Sequence, residues 1–217
     1  MDKNLTTKER LIQAASVIFA EKGYRDTTVA EICDAAGANI AAVNYHFGDK
    51  SNLYCQVWEY LFEQSAAKYP LPTDLIETDP EAWLRHFIRS RVEQIFDTDI
   101  HHRLPQLLHR EMGEPTEMHE SLFEKYLQPS HQRVSKAIRL LIGPGISENQ
   151  LKLAHLNFMS LHIFLNVGHQ KNKTNCQCRH RLPSTENPAE LARQVEAFAI
   201  GGLLATRDLI HNTGNLS

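Results

Sequence analysis

The sequence predicts an all-α fold, with an N-terminal three-helix domain linked by a fourth helix to a larger C-terminal helical bundle. Three observations carry this. Almost every segment between chain breaks repeats its apolar residues at helical spacing. No run alternates apolar and polar residues as a half-buried strand does, and no Asn-Gly hairpin turn occurs. All nine prolines lie at Pro70 or beyond and fall mostly where segments end. A proline inside a helix costs about 3 kcal/mol, so these residues punctuate helices rather than interrupt them.

The first helix is expected over Thr7–Lys22. Leu11, Ala15, Ile18 and Phe19 make one stripe, Thr6 or Thr7 caps it, and Gly23 sits where a left-handed residue ends a helix. The second runs over Thr28–Ala36 on Val29, Ile32, Cys33 and Ala36, with Thr27 or Thr28 as cap and Gly37 as stop. The third begins at the cap Asn39 and ends near Phe47. Gly48 breaks the chain, Asp49 caps, and a fourth helix runs from Lys50 through Leu53, Val57, Trp58, Leu61 and Phe62 to about Lys68. The spacing then predicts helices at 80–97, 104–112, 116–142, 147–167 and 188–211. Residues 69–79 read as a linker, and the polar stretch 168–187 as a loop. The expected division is a helix-turn-helix domain at 1–50 and a C-terminal domain at 51–217.

Composition excludes several classes. Among 217 residues, 42% are apolar and 23% charged, enough apolar material to bury a core without staples. No run of about 18 apolar residues exists to span a membrane, and the N-terminus lacks the apolar stretch of a secretory signal. A cytoplasmic protein is expected. The net charge of −3 argues against a protein that coats nucleic acid non-specifically. No G-x-S-x-G, H-E-x-x-H or P-loop is present, and the twelve histidines are scattered, so no catalytic frame stands out.

The informative segment is Thr27–Lys50, TTVAEICDAAGANIAAVNYHFGDK. Two short helices joined by Ala-Gly-Ala, the second capped by Asn39, have the spacing of a helix-turn-helix. Such a unit sends the start of its second helix into the DNA major groove, about 12 Å wide, and anchors the other face in a core. Val43 and Phe47 can anchor, leaving Ile40, Ala41 and Asn44 to face outward. Asn44 suits bidentate pairing with adenine, and Ile40 or Ala41 suits a thymine methyl.

From Thr7 to Leu53 the chain resembles the DNA-binding domain of TetR/AcrR-type bacterial repressors. The matching motifs are F-A-E-K-G-Y at the end of the first helix, T-T-V-A-E-I, A-A-G-A, and Y-H-F-G-D-K-S-N-L at 45–53. They cover about a fifth of the chain and are specific in combination. The pattern L-x-x-R-E-M-x-x-P-T at Leu107–Thr116 is similar to the CecR type. The resemblance implies a DNA-facing set of Thr27, Thr28, Asn39, Ile40, Ala41, Asn44, Tyr45, His46 and Lys50. Within it, Thr27 or Thr28 and Lys50 would meet phosphates, and Tyr45 and His46 the backbone or a base edge. Many relatives carry an aromatic residue where this chain has Asn44, so the preferred base is its own. Charge runs against the reading: residues 1–60 hold six Lys and Arg against eight Asp and Glu, a balance of −2. Hydroxyls and helix N-termini must then supply much of the phosphate contact. Useful affinity would require two domains on a palindromic operator, with half-sites about 34–36 Å apart.

For the C-terminal half, the resemblance implies a pocket for a small-molecule effector and a homodimer. Trp83, Phe87, Arg91, His109, Met112, Phe123, Tyr126, Phe158 and Met159 are the candidate pocket residues. Apolar walls with a few polar anchors are the usual makeup of such sites, and Arg89, Arg91, His109, Arg110 and Glu111 are the candidate anchors. An ordinary helical core and surface ion pairs would read the same way. The dimer surface is expected on the last two long helices, through Leu151, His155, Phe158, His162, Phe198, Gly202 and Leu203. In the 168–187 loop, His169, Cys176, Cys178 and His180 offer two thiols and two imidazoles. C-x-C-x-H is not a zinc-finger spacing, so no metal or other cofactor is expected.

The expected function is a homodimeric repressor released from its operator by the effector. Two other classes fit the same chain: a regulator that responds to a partner protein or a metal, and an enzyme carrying a vestigial helix-turn-helix.

Overall fold

The structure, a computed structural model, describes residues 5–173 and 187–213. Among the described residues all regular structure is helical, and no strand occurs. Helices α1 (Thr7–Lys22), α2 (Val29–Ala36), α3 (Ile40–Phe47) and α4 (Lys50–Lys68) match the expected elements. Their starts follow from side-chain capping. The Thr6 hydroxyl accepts from Glu9 N, and the Glu9 carboxylate accepts from Thr6 N at 2.8 Å. Thr28 and Glu31 repeat this reciprocal cap on α2. Asn39 Oδ1 accepts from Ala42 N at 2.9 Å, and Asp49 Oδ1 from Asn52 N at 2.7 Å. Each such cap satisfies an otherwise orphaned N–H and is worth about 1 kcal/mol.

The chain continues through α5 (Leu75–Thr78), α6 (Pro80–Ile95), a 3₁₀ turn at Ile100–His102, α7 (Arg103–Gly113) and α8 (His119–Leu122). A π-helical turn, Phe123–Leu127, leads into α9 (Gln128–Ile142). Then come α10 (Glu148–Lys173) and α11 (Pro188–Thr213). Two expectations change here. The single helix over 116–142 is broken, because Pro129 has no N–H to give the Lys125 carbonyl, and the π turn takes up the misfit. The loop expected from residue 168 instead starts as helix, since α10 runs on to Lys173. Polar composition there does not end the helix, and no proline interrupts it up to Lys173. Cys176, Cys178 and His180 lie outside the described residues.

The helices pack as two compact units. The first takes the chain up to Lys68 together with Thr98–Tyr126, and the second takes Tyr69–Asp97 and everything from Leu127 onward. The units therefore do not part at residue 50. Leu53, Tyr54, Val57, Trp58 and Leu61 of α4 share one buried core with Leu11, Phe19, Ile32, Val43 and Phe47 of α1–α3, and with Leu104 and Leu107 of α7. The second core joins Trp83, Leu84, Phe87 and Ile88 of α6, Val134 and Ile138 of α9, Leu151 and Phe158 of α10, and Ile200 and Leu203 of α11. At about 1.5–3 kcal/mol for each large apolar side chain buried, these two clusters dominate the stability of their units.

Candidate nucleic-acid interface

Gly37 turns the chain between α2 and α3. Its φ of 60° lies in the left-handed region that favours glycine, and its N–H reaches back to the Cys33 and Asp34 carbonyls. Ala38 N bonds the Cys33 carbonyl at 2.9 Å, closing the turn. Arg10 holds α1 against this corner, donating from Nε to the Ala36 carbonyl at 3.1 Å. Val43 and Phe47 plug α3 into the core, 0% and 5% exposed. The opposite face is bare: Asn39, Ile40, Ala41, Asn44 and Tyr45 are all exposed, Tyr45 by 85%. Tyr45 is thus presented to solvent rather than packed. His46 is half-buried, its ring edge-on to Tyr45.

Lys50, at the start of α4, lies 4.3 Å over the Tyr24 ring and donates to the Thr27 carbonyl at 2.6 Å. Burial pushes its ammonium below the usual lysine value, with Asp26 opposing. An ammonium carries three donors, so one bond to Thr27 leaves capacity for an anion. The Tyr24 hydroxyl meets Ser51 Oγ at 2.8 Å, tying the turn after α1 to α4. The other nearby cations are engaged elsewhere. Lys22 pairs with Glu31 at 2.5 Å, and that bond together with those from Thr28 holds the Glu31 carboxyl at about 2.

Thr27 does not join the exposed set. It is 1% exposed, and its hydroxyl donates to the Gly23 carbonyl at 2.6 Å. That hydroxyl closes the turn into α2 and does not face outward. The exposed threonine is Thr28, the N-cap, whose position at a helix N-terminus suits an anion.

The pattern at Leu107–Thr116 has a structural account that sequence reasoning missed. Arg110 donates to the Ala20 carbonyl at 3.4 Å and also to that of Glu21, gripping the end of α1. Buried Glu111 accepts from the Tyr54 hydroxyl at 2.7 Å on one oxygen, and from Thr116 N and Oγ1, each at 2.8 Å, on the other. The Pro115 carbonyl accepts from Arg25 at 3.3 Å. Arg110 and Glu111 are thus braces of the first unit rather than ligand anchors. The consecutive Arg-Glu was the visible signal.

The expected pocket residues do not form one group. Trp83, Phe87, Arg91, Phe158 and Met159 belong to the second unit, while His109, Met112, Phe123 and Tyr126 belong to the first. Met112 is exposed, and Tyr126 stacks on Phe62 at 4.8 Å. Arg89 pairs with Glu196 of α11 at 2.5 Å, an ion pair bracing two helices. The expected dimer stripe also divides. Leu151, Phe158 and Leu203 are buried in the core of one chain and cannot form a surface between two. His155 and His162 are half-buried within the same unit, whereas Phe198 and Gly202 are exposed. The open apolar face carries Phe164 and Phe198, 71% and 72% exposed. Both border a groove of about 590 Å³ between α10 and α11, with Leu161, Leu165, Leu191 and Val195.

A three-helix head with a bare second helix of a helix-turn-helix, followed by a helical bundle, defines a DNA-binding regulator. The family model for bacterial regulatory proteins of the tetR family matches residues 11–57, and that for the C-terminal domain of the HTH-type transcriptional dual regulator CecR matches residues 80–203. The chain belongs to the TetR family, with a CecR-type C-terminal domain. It is 29% identical over 161 residues to CecR of Shigella flexneri, covering 70% of this chain and 71% of that one. To the transcriptional repressor NicS of Pseudomonas putida it is 28% identical over 143 residues, 64% and 58% of the two chains. Its fold is shared with the transcriptional regulator FadR of Bacillus subtilis, solved in complex with stearoyl-CoA. There the TM-score is 0.65 at 15% identity, over 89% of this chain and 98% of that one. The family consists of transcriptional regulators and not enzymes, which removes the reading of a vestigial helix-turn-helix on a catalyst. Among the described residues no helix is long and apolar enough to cross a membrane.

Proposed function

We propose that the chain is a cytoplasmic homodimeric repressor whose paired α3 helices read a palindromic operator, and that a small molecule bound in the second unit releases it. The bare face of α3 carries the reading. Ile40, Ala41, Asn44 and Tyr45 are exposed on a rod that Val43 and Phe47 fix to its core. Asn44 pairs with a base, Ile40 and Ala41 touch methyl groups, and Tyr45, Thr28, Lys50 and the Asn39 end of α3 position the backbone. With so few free cations, one domain binds weakly, and the open Phe164–Phe198 face of α10 and α11 is where a second copy would be recruited. A relative named a repressor and a fold relative solved with stearoyl-CoA support repression and small-molecule control. The effector acts by binding better to a conformation in which the two recognition helices no longer match successive half-sites.

Selection of bound duplexes from a random DNA pool tests this. Enrichment of an inverted repeat with half-sites about one helical turn apart is expected. Enrichment of single half-sites, or of nothing, overturns the dimeric operator reading.

A further inference from the structure

Lys50 is held at two points, and both belong to one short turn. Its ammonium lies 4.3 Å from the centre of the Tyr24 ring and donates to the Thr27 carbonyl at 2.6 Å. That turn is closed on itself. The Thr27 hydroxyl donates to the Gly23 carbonyl at 2.6 Å, and Gly23 takes a φ of 83°, in the region that favours glycine. The Tyr24 ring is fixed as well. It stacks on Phe19 at 6.1 Å and meets Tyr54 at 5.0 Å, and both of those side chains are buried. Its hydroxyl lies 2.8 Å from Ser51 Oγ, on the residue next to Lys50. One aromatic side chain therefore meets the start of α4 twice, through its hydroxyl and through its face. No acidic side chain pairs with Lys50 among the described residues, whereas the Lys22 ammonium is taken by Glu31. The Thr27 carbonyl shares a peptide with the nitrogen of the exposed N-cap Thr28, so the Lys50 ammonium sits beside the N-terminus of α2, where an anion is favoured.

A lysine ammonium ends a flexible four-carbon stem, and a free one loses that freedom when it grips a phosphate. A carboxylate partner would fix the stem but neutralise the charge. A ring face attracts the cation without taking any of its donors, so it fixes the ammonium and leaves N–H groups for an anion. We propose that Tyr24 is a positioning residue for operator binding: its ring holds the Lys50 ammonium beside Thr28, so that a DNA phosphate meets a cation already in place. The inference rests on the reading that Lys50 contacts phosphate, and Tyr24 acts through Lys50. In a head whose first 60 residues balance to −2, one cation placed in advance weighs more than it would in a basic domain.

Fluorescence anisotropy of the full-length protein with a labelled copy of the selected duplex, repeated across salt concentrations, tests this as a double-mutant cycle of Tyr24 and Lys50. Tyr24→Leu is expected to weaken binding about 3- to 10-fold, the cost of immobilising one long side chain afresh, and to lower the salt slope toward that of Lys50→Ala. In the Lys50→Ala background the same substitution is expected to cost nothing further. Tyr24→Phe keeps the ring and is expected to recover most of the loss. Pentafluorophenylalanine at position 24 keeps the size of the ring while its fluorines draw negative charge off the face, so it is expected to bind like the leucine variant. A Tyr24→Leu loss of the same size with and without Lys50, or a pentafluoro variant that binds like Tyr24→Phe, overturns the positioning role and leaves the phosphate contact standing. A Lys50→Ala variant with the parent's affinity and salt slope overturns the phosphate contact, and the positioning role with it. Should Tyr24→Leu unfold the head, the two ring variants, which fill the same space, decide the matter between them.

Discussion

Asn44 and Lys50 stand within a few residues of each other and differ in what they can do. Asn44 is exposed at mid-helix and presents one donor and one acceptor, the pair an adenine edge matches. Asn44→Ala is expected to relax preference at one operator position by about 1–3 kcal/mol, and an unchanged selected sequence would remove the assignment. Lys50→Ala is expected to weaken all duplexes about equally and to lower the slope of log affinity against log salt by about one per contacting site. A change confined to one sequence would mean that Lys50 reads bases. In the second unit, the imidazoles set a pH dependence. His131, His155 and His162 are all shifted below the ordinary histidine value, chiefly by burial. Between about pH 6.5 and the lower folded-state values, the unfolded chain binds protons that the folded chain refuses, so stability falls as pH falls. His162, held down to about 3, contributes a slope of about 1.4 kcal/mol per pH unit within its window, and His131 and His155 act in the same direction. Urea unfolding at pH 6.5 and pH 5 measures the fall, and His162→Leu is expected to shallow it. A stability that rises toward pH 5 contradicts the burial of these neutral rings.

Helices α1–α4 were legible because their ends are written in side chains: Thr6, Thr28, Asn39 and Asp49 cap, and Gly23, Gly37 and Gly48 stop. The same rules could not choose between Thr27 and Thr28, since both have the hydroxyl and only the fold decides which one turns inward to Gly23. Nor could they assign the role of Arg110 and Glu111 on α7. Its motif reads equally as ligand anchors or as braces, and burial of Glu111 against Tyr54 decides for braces. Both Glu111 oxygens act as acceptors, so Glu111→Gln takes an acceptor away from either the Tyr54 hydroxyl proton or the Thr116 N–H. The expected loss is about 1–3 kcal/mol of first-unit stability, read by urea unfolding, with Tyr54→Phe relieving part of it. If the glutamine variant is as stable as the parent, the carboxylate is not what holds α7.

At the level of the molecule, α10 shows where sequence patterning stops. It is apolar on more than one side: Leu151, Ala154 and Phe158 on one, and Leu153, Leu156 and Phe164 on another. Periodicity finds both stripes and cannot tell which is covered by the chain's own helices. The structure buries the first and leaves Phe164 open, so the proposed second copy would dock on the face around Phe164 and Phe198 rather than on Leu151, Phe158 and Leu203. That changes what a charge does. Phe158→Glu buries a carboxylate in the second core and should unfold the unit rather than make folded monomers. Phe164→Glu and Phe198→Glu place charges on side chains 71% and 72% exposed, so the single chain should tolerate them. Together they are expected to give folded monomers by sedimentation, with a circular dichroism melt like the parent's. Operator affinity should fall by about 10²- to 10⁴-fold, the gain lost when two half-site contacts are no longer tethered. A doubly substituted chain that still sediments as a dimer would put the interface elsewhere, and a monomer that binds the full operator undiminished would mean that one α3 suffices.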